Sequence, residues 1–144
     1  MNPYNTLILT SCFLLGLFSC QQTVEQTPQK TKEFVLLVDL IDDTTKIAEY
    51  ETYHQQIWKE VKQGFLKAGF VDIRIYRFHN HLSMIIEIPE GKDLGELSAL
   101  SAENNPKMAE WDALMSTYQI GVSGTAEGQT WAFAEKIFQF KESE

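Results

Sequence analysis

The feature that most constrains the fold of this chain is an amphipathic stretch that ends at Gly69. Its apolar side chains recur at steps of three and four residues, which is the spacing of one face of an α-helix. A glycine in the position of Gly69 commonly ends a helix. The pattern therefore predicts one continuous helix that begins after the cap residues 42–45 and runs through 50–69. Its inward face is formed by Ile47, Tyr50, His54, Ile57, Val61, Phe65 and Ala68.

A titratable side chain, His54, falls near the middle of that apolar face. Two interpretations are open: a core histidine that hydrogen-bonds to a neighbour, or a residue in the wall of a pocket. Tyr50 lies one turn before His54 and Trp58 lies about one turn after it. A histidine between two large aromatic residues favours the pocket wall.

The remaining patterns place this helix in an order of elements that reads β-α-β-β-α-β. Alternating or continuous apolar runs predict strands, and helical spacing after Asn105 predicts a second main helix. This order is that of the ferredoxin-like α+β fold. The predicted strands are Phe34–Leu40, 71–76, Leu82–Ile88 and Trp131–Phe140, and the later helices are Leu94–Leu100 and Pro106–Tyr118.

A sheet with both helices on one side leaves its other face uncovered. The first and last strands are apolar and rich in aromatic residues, so we expect a second copy of the chain to cover that face. The sequence thus predicts a homodimer in which the two sheets pack face to face. Trp131 and Phe133 are assigned to the dimer face.

The N-terminus carries the pattern of a leader. An apolar run over Leu7–Phe18 is too short to span a bilayer, and Leu17-Phe18-Ser19-Cys20 resembles a bacterial lipobox. We therefore expect a signal peptide at 1–19, lipidation of Cys20, a flexible tether at 20–32 and the folded domain at 33–144. The protein would be lipid-anchored to a bacterial membrane, on the periplasmic side of the outer membrane. An ordinary secretory signal or a buried apolar segment is the alternative.

Composition excludes several classes of function. The formal net charge of −8 argues against nucleic acid as a partner. Both cysteines, Cys12 and Cys20, precede the domain, which excludes a cysteine nucleophile or thiolate metal ligands within it. His79 and His81 could share a metal, but no further ligand is indicated by spacing, and a hairpin turn explains them better. We predict no metal site and no cofactor.

One segment, Tyr50-x-x-x-His54-x-x-Ile57-Trp58-x-Glu60, resembles the L-rhamnose mutarotases, and the resemblance extends over about 34–140. It implies a small dimeric α+β barrel that interconverts the anomers of a 6-deoxy sugar without a cofactor. It also implies that His54 is the proton donor and that Tyr50 binds the substrate. Trp111 and Asp112 match a sugar-binding segment that usually holds two tryptophans, and a further family tyrosine falls on Ile73.

Two other functions remain open from sequence alone. Dimeric ferredoxin-like barrels also include small cofactor-independent monooxygenases whose pockets combine a histidine with aromatic residues. A non-catalytic, lipid-anchored sugar-binding module would keep the pocket without turnover. Anomer exchange on deoxy sugars distinguishes the three, because only the mutarotase catalyses it.

Overall fold

The structure, a computed structural model, describes residues 29–141. The predicted signal peptide, Cys20 and most of the predicted tether lie outside these residues. Residues 29–141 form five strands and four helices, namely β1 (Thr31–Leu40), α1 (Thr44–Gln55), α2 (Lys59–Ala68), β2 (Asp72–Phe78), β3 (His81–Pro89), α3 (Leu94–Ala102), α4 (Pro106–Ser116), β4 (Gln119–Ile120) and β5 (Ala132–Ala134). Because β1 begins at Thr31, it includes the last two residues assigned to the tether.

The strands pair antiparallel in the spatial order β2-β3-β1-β4, and β5 also pairs with β1. β1 is central, as its continuous apolar run predicts. β4 pairs with Asp39 and Leu40, whereas β5 pairs with the stretch from Val35 to Leu37. Two short strands therefore share the fourth position of the sheet. The predicted ferredoxin-like α+β fold is confirmed.

Alternation along β1 defines the two faces of the sheet. Leu36, Val38 and Leu40 are buried, and Val38 and Leu40 join a core that includes Val61 of α2 and Met108 of α4. Fully burying a side chain such as that of Val38 contributes about 1.5–3 kcal/mol to folding. The helices thus cover this face, which we call the helix face of the sheet.

The other face, the outer face, is formed by the alternate residues of the same strands. Val35 and Leu37 of β1 align with Ile85 and Ser83 of β3. Within residues 29–141 no helix covers this face, and Tyr76 at its edge is 56% exposed.

The prediction of one continuous helix over 50–69 is wrong. α1 ends at Gln55, and Gln56, with φ −128° and ψ 51°, caps it by donating its N–H to the carbonyls of Thr52 and Tyr53. Trp58, with ψ 138°, also leaves the helical region before α2 begins. Ile57 and Trp58 still pack against the core, so the apolar pattern survives the break. Spacing alone therefore could not reveal it. Gly69 does end α2, with a left-handed φ of 91°.

The prediction of a last strand over Trp131–Phe140 is confirmed only over Ala132–Ala134 and is wrong for the rest of that range. Only Ala132–Ala134 pairs with β1, and the segment beyond it has no strand partner within residues 29–141. Ile137 and Phe138 there are 91% and 80% exposed. β-propensity alone does not make a strand, because the backbone groups need a ladder to pair with.

The assignment of Trp131 and Phe133 to the dimer face is wrong as well. Phe133 pairs with Leu36, so both side chains lie on the helix face, and its ring meets that of Phe34 at 6.2 Å between centroids. Trp131 packs against the core residues of the same face. A shift of one residue in a strand exchanges its faces, and only the pairing fixes that register.

Candidate active site

A cavity of about 740 Å³ lies between the helix face of the sheet and the helices. Its size is within the range of small-molecule sites, about 300–1,000 Å³. Aromatic and aliphatic side chains dominate the wall, and a few polar groups interrupt it. The lining residues are Tyr50, His54, Ile57, Phe65, Phe70, Ile73, Ile75, Met84, Ile86, Ser98, Trp111, Asp112, Met115, Ser116, Gln119, Thr130 and Trp131.

All five residues predicted to form the site line this cavity. Tyr50 and His54 come from α1, Ile73 from β2, and Trp111 and Asp112 from α4. Three elements separated in sequence thus converge on one space. The catalytic and binding roles of these residues stay predictions.

His54 lies in the last turn of α1 with its ring orientation fixed by the main chain. Its Nδ1 atom is 2.9 Å from the carbonyl oxygen of Tyr50. A carbonyl oxygen only accepts hydrogen bonds, so Nδ1 must carry a proton. In the neutral imidazole the free lone pair is therefore on Nε2. Burial lowers the pKa of His54, and the hydrogen bond to the Tyr50 carbonyl partly opposes that effect.

Tyr50 is buried beside His54, with 4.2 Å between the ring centroids. Burial raises the pKa of Tyr50 to about 12, although a hydrogen bond from the Gln119 amide opposes the increase. The phenol is therefore neutral at physiological pH. Because Gln119 Nε2 donates to the Tyr50 oxygen at 3.3 Å, the hydroxyl proton of Tyr50 remains available for a ligand.

Trp111 is held by aromatic contacts on several sides. Its ring centroid is 5.3 Å from that of His54, 5.4 Å from Trp58 and 6.4 Å from Tyr53. The rings meet edge to face, a geometry worth about 0.5–1.5 kcal/mol per pair beyond area burial. The indole is consequently a rigid part of the wall.

The two remaining predicted residues differ in character. Ile73 continues the apolar wall with Ile75 on the helix face of β2, whereas Tyr76 projects from the outer face. Asp112 lines the cavity yet is exposed, so it lies on the solvent side. Partial burial raises the pKa of the Asp112 carboxyl. Among the described residues that line the cavity there is no lysine or arginine to neutralise it.

Sequence reasoning missed two prominent residues of the cavity, Gln119 and Trp131. Gln119 opens the two-residue strand β4, which is too short to produce a periodic pattern. Trp131 was visible as a large aromatic residue but was assigned to the wrong face. The only sign in the sequence that Gln119 could belong to the site is that it is a polar residue directly after the second main helix.

A family model described as L-rhamnose mutarotase matches residues 33–140. The chain belongs to the L-rhamnose mutarotase family. An L-fucose mutarotase from Xanthomonas campestris pv. campestris is 33% identical over 109 residues, which are 74% of this chain and 86% of that protein. A UPF0734 protein from Dictyostelium discoideum is 33% identical over 98 residues, covering 68% of this chain and 78% of that protein.

A solved structure of the same family supports the fold. The crystal structure of an L-rhamnose mutarotase from Formosa agariphila matches with a TM-score of 0.54 at 17% identity. The match covers 76% of this chain and 99% of that one.

Membership in the mutarotase family places the chain among isomerases that act on carbohydrates. The comparisons do not favour the monooxygenase or the non-catalytic binding module. Within residues 29–141 no helix is long and apolar enough to cross a membrane. Over the same range, no group of three or more His, Cys, Asp or Glu side chains is placed to hold a metal ion.

Proposed function

We propose that this protein interconverts the α and β anomers of a 6-deoxy sugar, such as L-rhamnose, by general acid–base catalysis at His54. The observation that carries the proposal is the imidazole in the cavity wall whose Nδ1 donates to the Tyr50 carbonyl. That bond leaves Nε2 as the one ring atom free to exchange a proton with a ligand.

The cavity suits a deoxy sugar because its walls differ in polarity. Ile73, Ile75 and Phe65 form an apolar surface on which a C6 methyl group would lose no hydrogen bond. The rigid indole of Trp111 would stack on the less polar face of the ring, and the Tyr50 hydroxyl would donate to a sugar oxygen.

The chemistry begins with opening of the sugar ring. The imidazolium form of His54, protonated on both ring nitrogens, donates its Nε2 proton to the ring oxygen as the bond between that oxygen and C1 breaks, while the anomeric hydroxyl gives its proton to a base. The open aldehyde turns about the C1–C2 bond, and closure reverses both transfers on the other face of C1. General acid–base catalysis of this kind contributes typically about 10²–10⁴-fold.

The experiment that tests this proposal is saturation-transfer NMR of anomer exchange with L-rhamnose and L-fucose. Their 6-hydroxy counterparts, L-mannose and L-galactose, are matched controls that add one hydroxyl at C6. We expect catalysed exchange with at least one deoxy sugar, and about 10–100-fold slower exchange with its counterpart. If neither deoxy sugar exchanged faster than in buffer, the proposed function would be wrong.

We further propose that the protein is a homodimer that buries the outer face. Val35, Leu37 and Ile85 place an apolar row at the centre of that face, and Phe78 at its edge is 81% exposed. Contiguous apolar surface of this kind is uncommon on a monomer. Arg74, which pairs with Glu33, Asp72 and Glu87, forms a polar border beside the row.

Anchoring through Cys20 is likewise a proposal, with support from the sequence Leu17-Phe18-Ser19-Cys20 alone. Two acyl chains on Cys20 would hold the protein to the periplasmic side of the outer membrane, whereas one chain binds only reversibly. Replacing Cys20→Ser should remove the protein from the membrane fraction. Mass spectrometry that found an unmodified N-terminus elsewhere would contradict the anchor.

A further inference from the structure

Opening a pyranose ring requires two proton transfers, and His54 can supply one of them. Nδ1 is engaged with the Tyr50 carbonyl, so Nε2 is the ring nitrogen that is free to exchange a proton with a ligand. In the imidazolium form Nε2 carries the proton that is directed at the ring oxygen, so it cannot accept the proton of the anomeric hydroxyl. A second group is needed if neither transfer is to depend on bulk water.

Few side chains of the cavity can fill this role. Among the described residues that line it, the titratable side chains are Tyr50, His54 and Asp112. Tyr50 holds its proton at neutral pH because burial raises its pKa to about 12. Asp112 is therefore the carboxylate that remains.

The fold brings Asp112 and His54 to the same space from different helices. Asp112 of α4 and His54 of α1 both line the cavity. Asp112 is exposed at the solvent side of the cavity, so its side chain can adjust to a ligand.

We infer that Asp112 is the second proton-transfer group of this site: it accepts the proton of the anomeric hydroxyl while His54 Nε2 donates to the ring oxygen. This role rests on the proposed mutarotase function and goes beyond it by assigning the base.

The two transfers balance over one reaction cycle. In opening, the electron pair of the C1–O bond goes to the ring oxygen, which takes the His54 proton. The O–H pair of the anomeric hydroxyl becomes the second C=O bond as Asp112 takes that proton. In closure the ring hydroxyl returns its proton to Nε2 and attacks C1, and Asp112 returns its proton to the carbonyl oxygen.

The pKa directions of the two side chains favour a donor role for His54 and an acceptor role for Asp112. Burial lowers the pKa of His54 and raises that of Asp112, so moving a proton between the two costs less than between the free side chains. Across the cavity α1 contributes Tyr50 as the other titratable group, and the lining of β2 and β3 is apolar. On α4 itself, Glu110 pairs with Lys107.

The test measures kcat, KM and their pH dependence for anomer exchange in the full chain with Asp112→Asn, Asp112→Glu and Glu110→Gln. Glu110→Gln is the matched control, because it removes a carboxylate from the same helix outside the cavity lining. We expect Asp112→Asn to lower kcat about 10–100-fold, within the range for one acid–base group, with a smaller change in KM. Asp112→Glu should recover part of the loss.

The pH profile separates proton transfer from mere binding. The wild-type kcat should fall at low pH as the carboxylate takes up a proton, and Asp112→Asn should lack that acidic limb. Asp112→Asn with wild-type kcat, or with changed KM and an intact acidic limb, would overturn the role of Asp112 while leaving the proposed function standing. Absence of catalysed exchange by the wild-type protein would overturn the proposed function itself.

Discussion

The imidazole of His54 donates a hydrogen bond from Nδ1 to the main-chain carbonyl oxygen of Tyr50, 2.9 Å away and one helical turn earlier. The partner is backbone rather than a carboxylate, so it fixes the tautomer without adding negative charge to the cavity. Nε2 is a base in the neutral ring and an acid in the imidazolium, so this nitrogen can take up a proton and give it to a ligand.

We expect His54→Asn to lower anomer exchange by about two powers of ten or more, since the amide cannot carry the proton. His79→Asn is the matched control, because His79 is exposed on the β2–β3 hairpin and asparagine tolerates its φ of 55°. Saturation-transfer NMR on both variants checks the result. Near-normal exchange by a folded His54→Asn protein would contradict the mechanism.

The lowered pKa of His54 gives a prediction about stability. A histidine whose folded pKa lies below its unfolded value of about 6.5 stabilises the fold above that pH. The contribution is lost as the pH falls from about 6.5 through the folded pKa, because the unfolded chain takes up the proton first. Urea unfolding at several pH values should show this loss in the wild-type protein, and His54→Gln should reduce it. An equal pH dependence in both proteins would argue against a buried, neutral His54.

Trp131 provides a test of the corrected face assignment. Because it lines the cavity, Trp131→Ala should raise the Kd of the sugar and leave the oligomeric state unchanged. Isothermal titration with sugar and analytical ultracentrifugation measure the two effects. Dissociation of the protein without a change in sugar affinity would show that Trp131 packs at the dimer interface and not in the cavity wall.

The proposed dimer predicts that a charge on the outer face is costly. Leu37→Glu would bury an unpaired carboxylate between two copies. An unpaired buried charge of this kind destabilises the folded dimer by about 3–5 kcal/mol. Leu66→Glu is the matched control, because Leu66 is already 67% exposed on α2. Sedimentation should show dissociation or loss of folded protein for the first variant only. A wild-type protein that sediments as a stable monomer would contradict the interface.

The sequence was sufficient to predict the elements whose hydrophobic pattern follows directly from which side chains are buried. The continuous apolar run of β1 indicated a central strand, and the alternation through Ile73 and Ile75 placed both on one face of β2. The helical spacing of Tyr50 and His54 directed both toward the interior. These signals depend on local periodicity, which burial imposes on any helix or strand.

The sequence was insufficient where long-range pairing decides the structure. The break at Gln56 leaves the apolar spacing nearly intact, so a periodicity argument cannot detect it. The end of β5 at Ala134 depends on where β1 offers a partner. The faces of Trp131 and Phe133 follow from strand register, which the residues of that segment do not specify.

The fourth position of the sheet is formed by two strands, and each anchors one end of the loop at 121–131 to β1. Gln119 and Trp131 are therefore positioned by β1 rather than by the residues between them. The entropic cost of a longer loop grows only with the logarithm of its length. Insertions within 121–129 should therefore be tolerated at little cost in stability and should leave His54 in place.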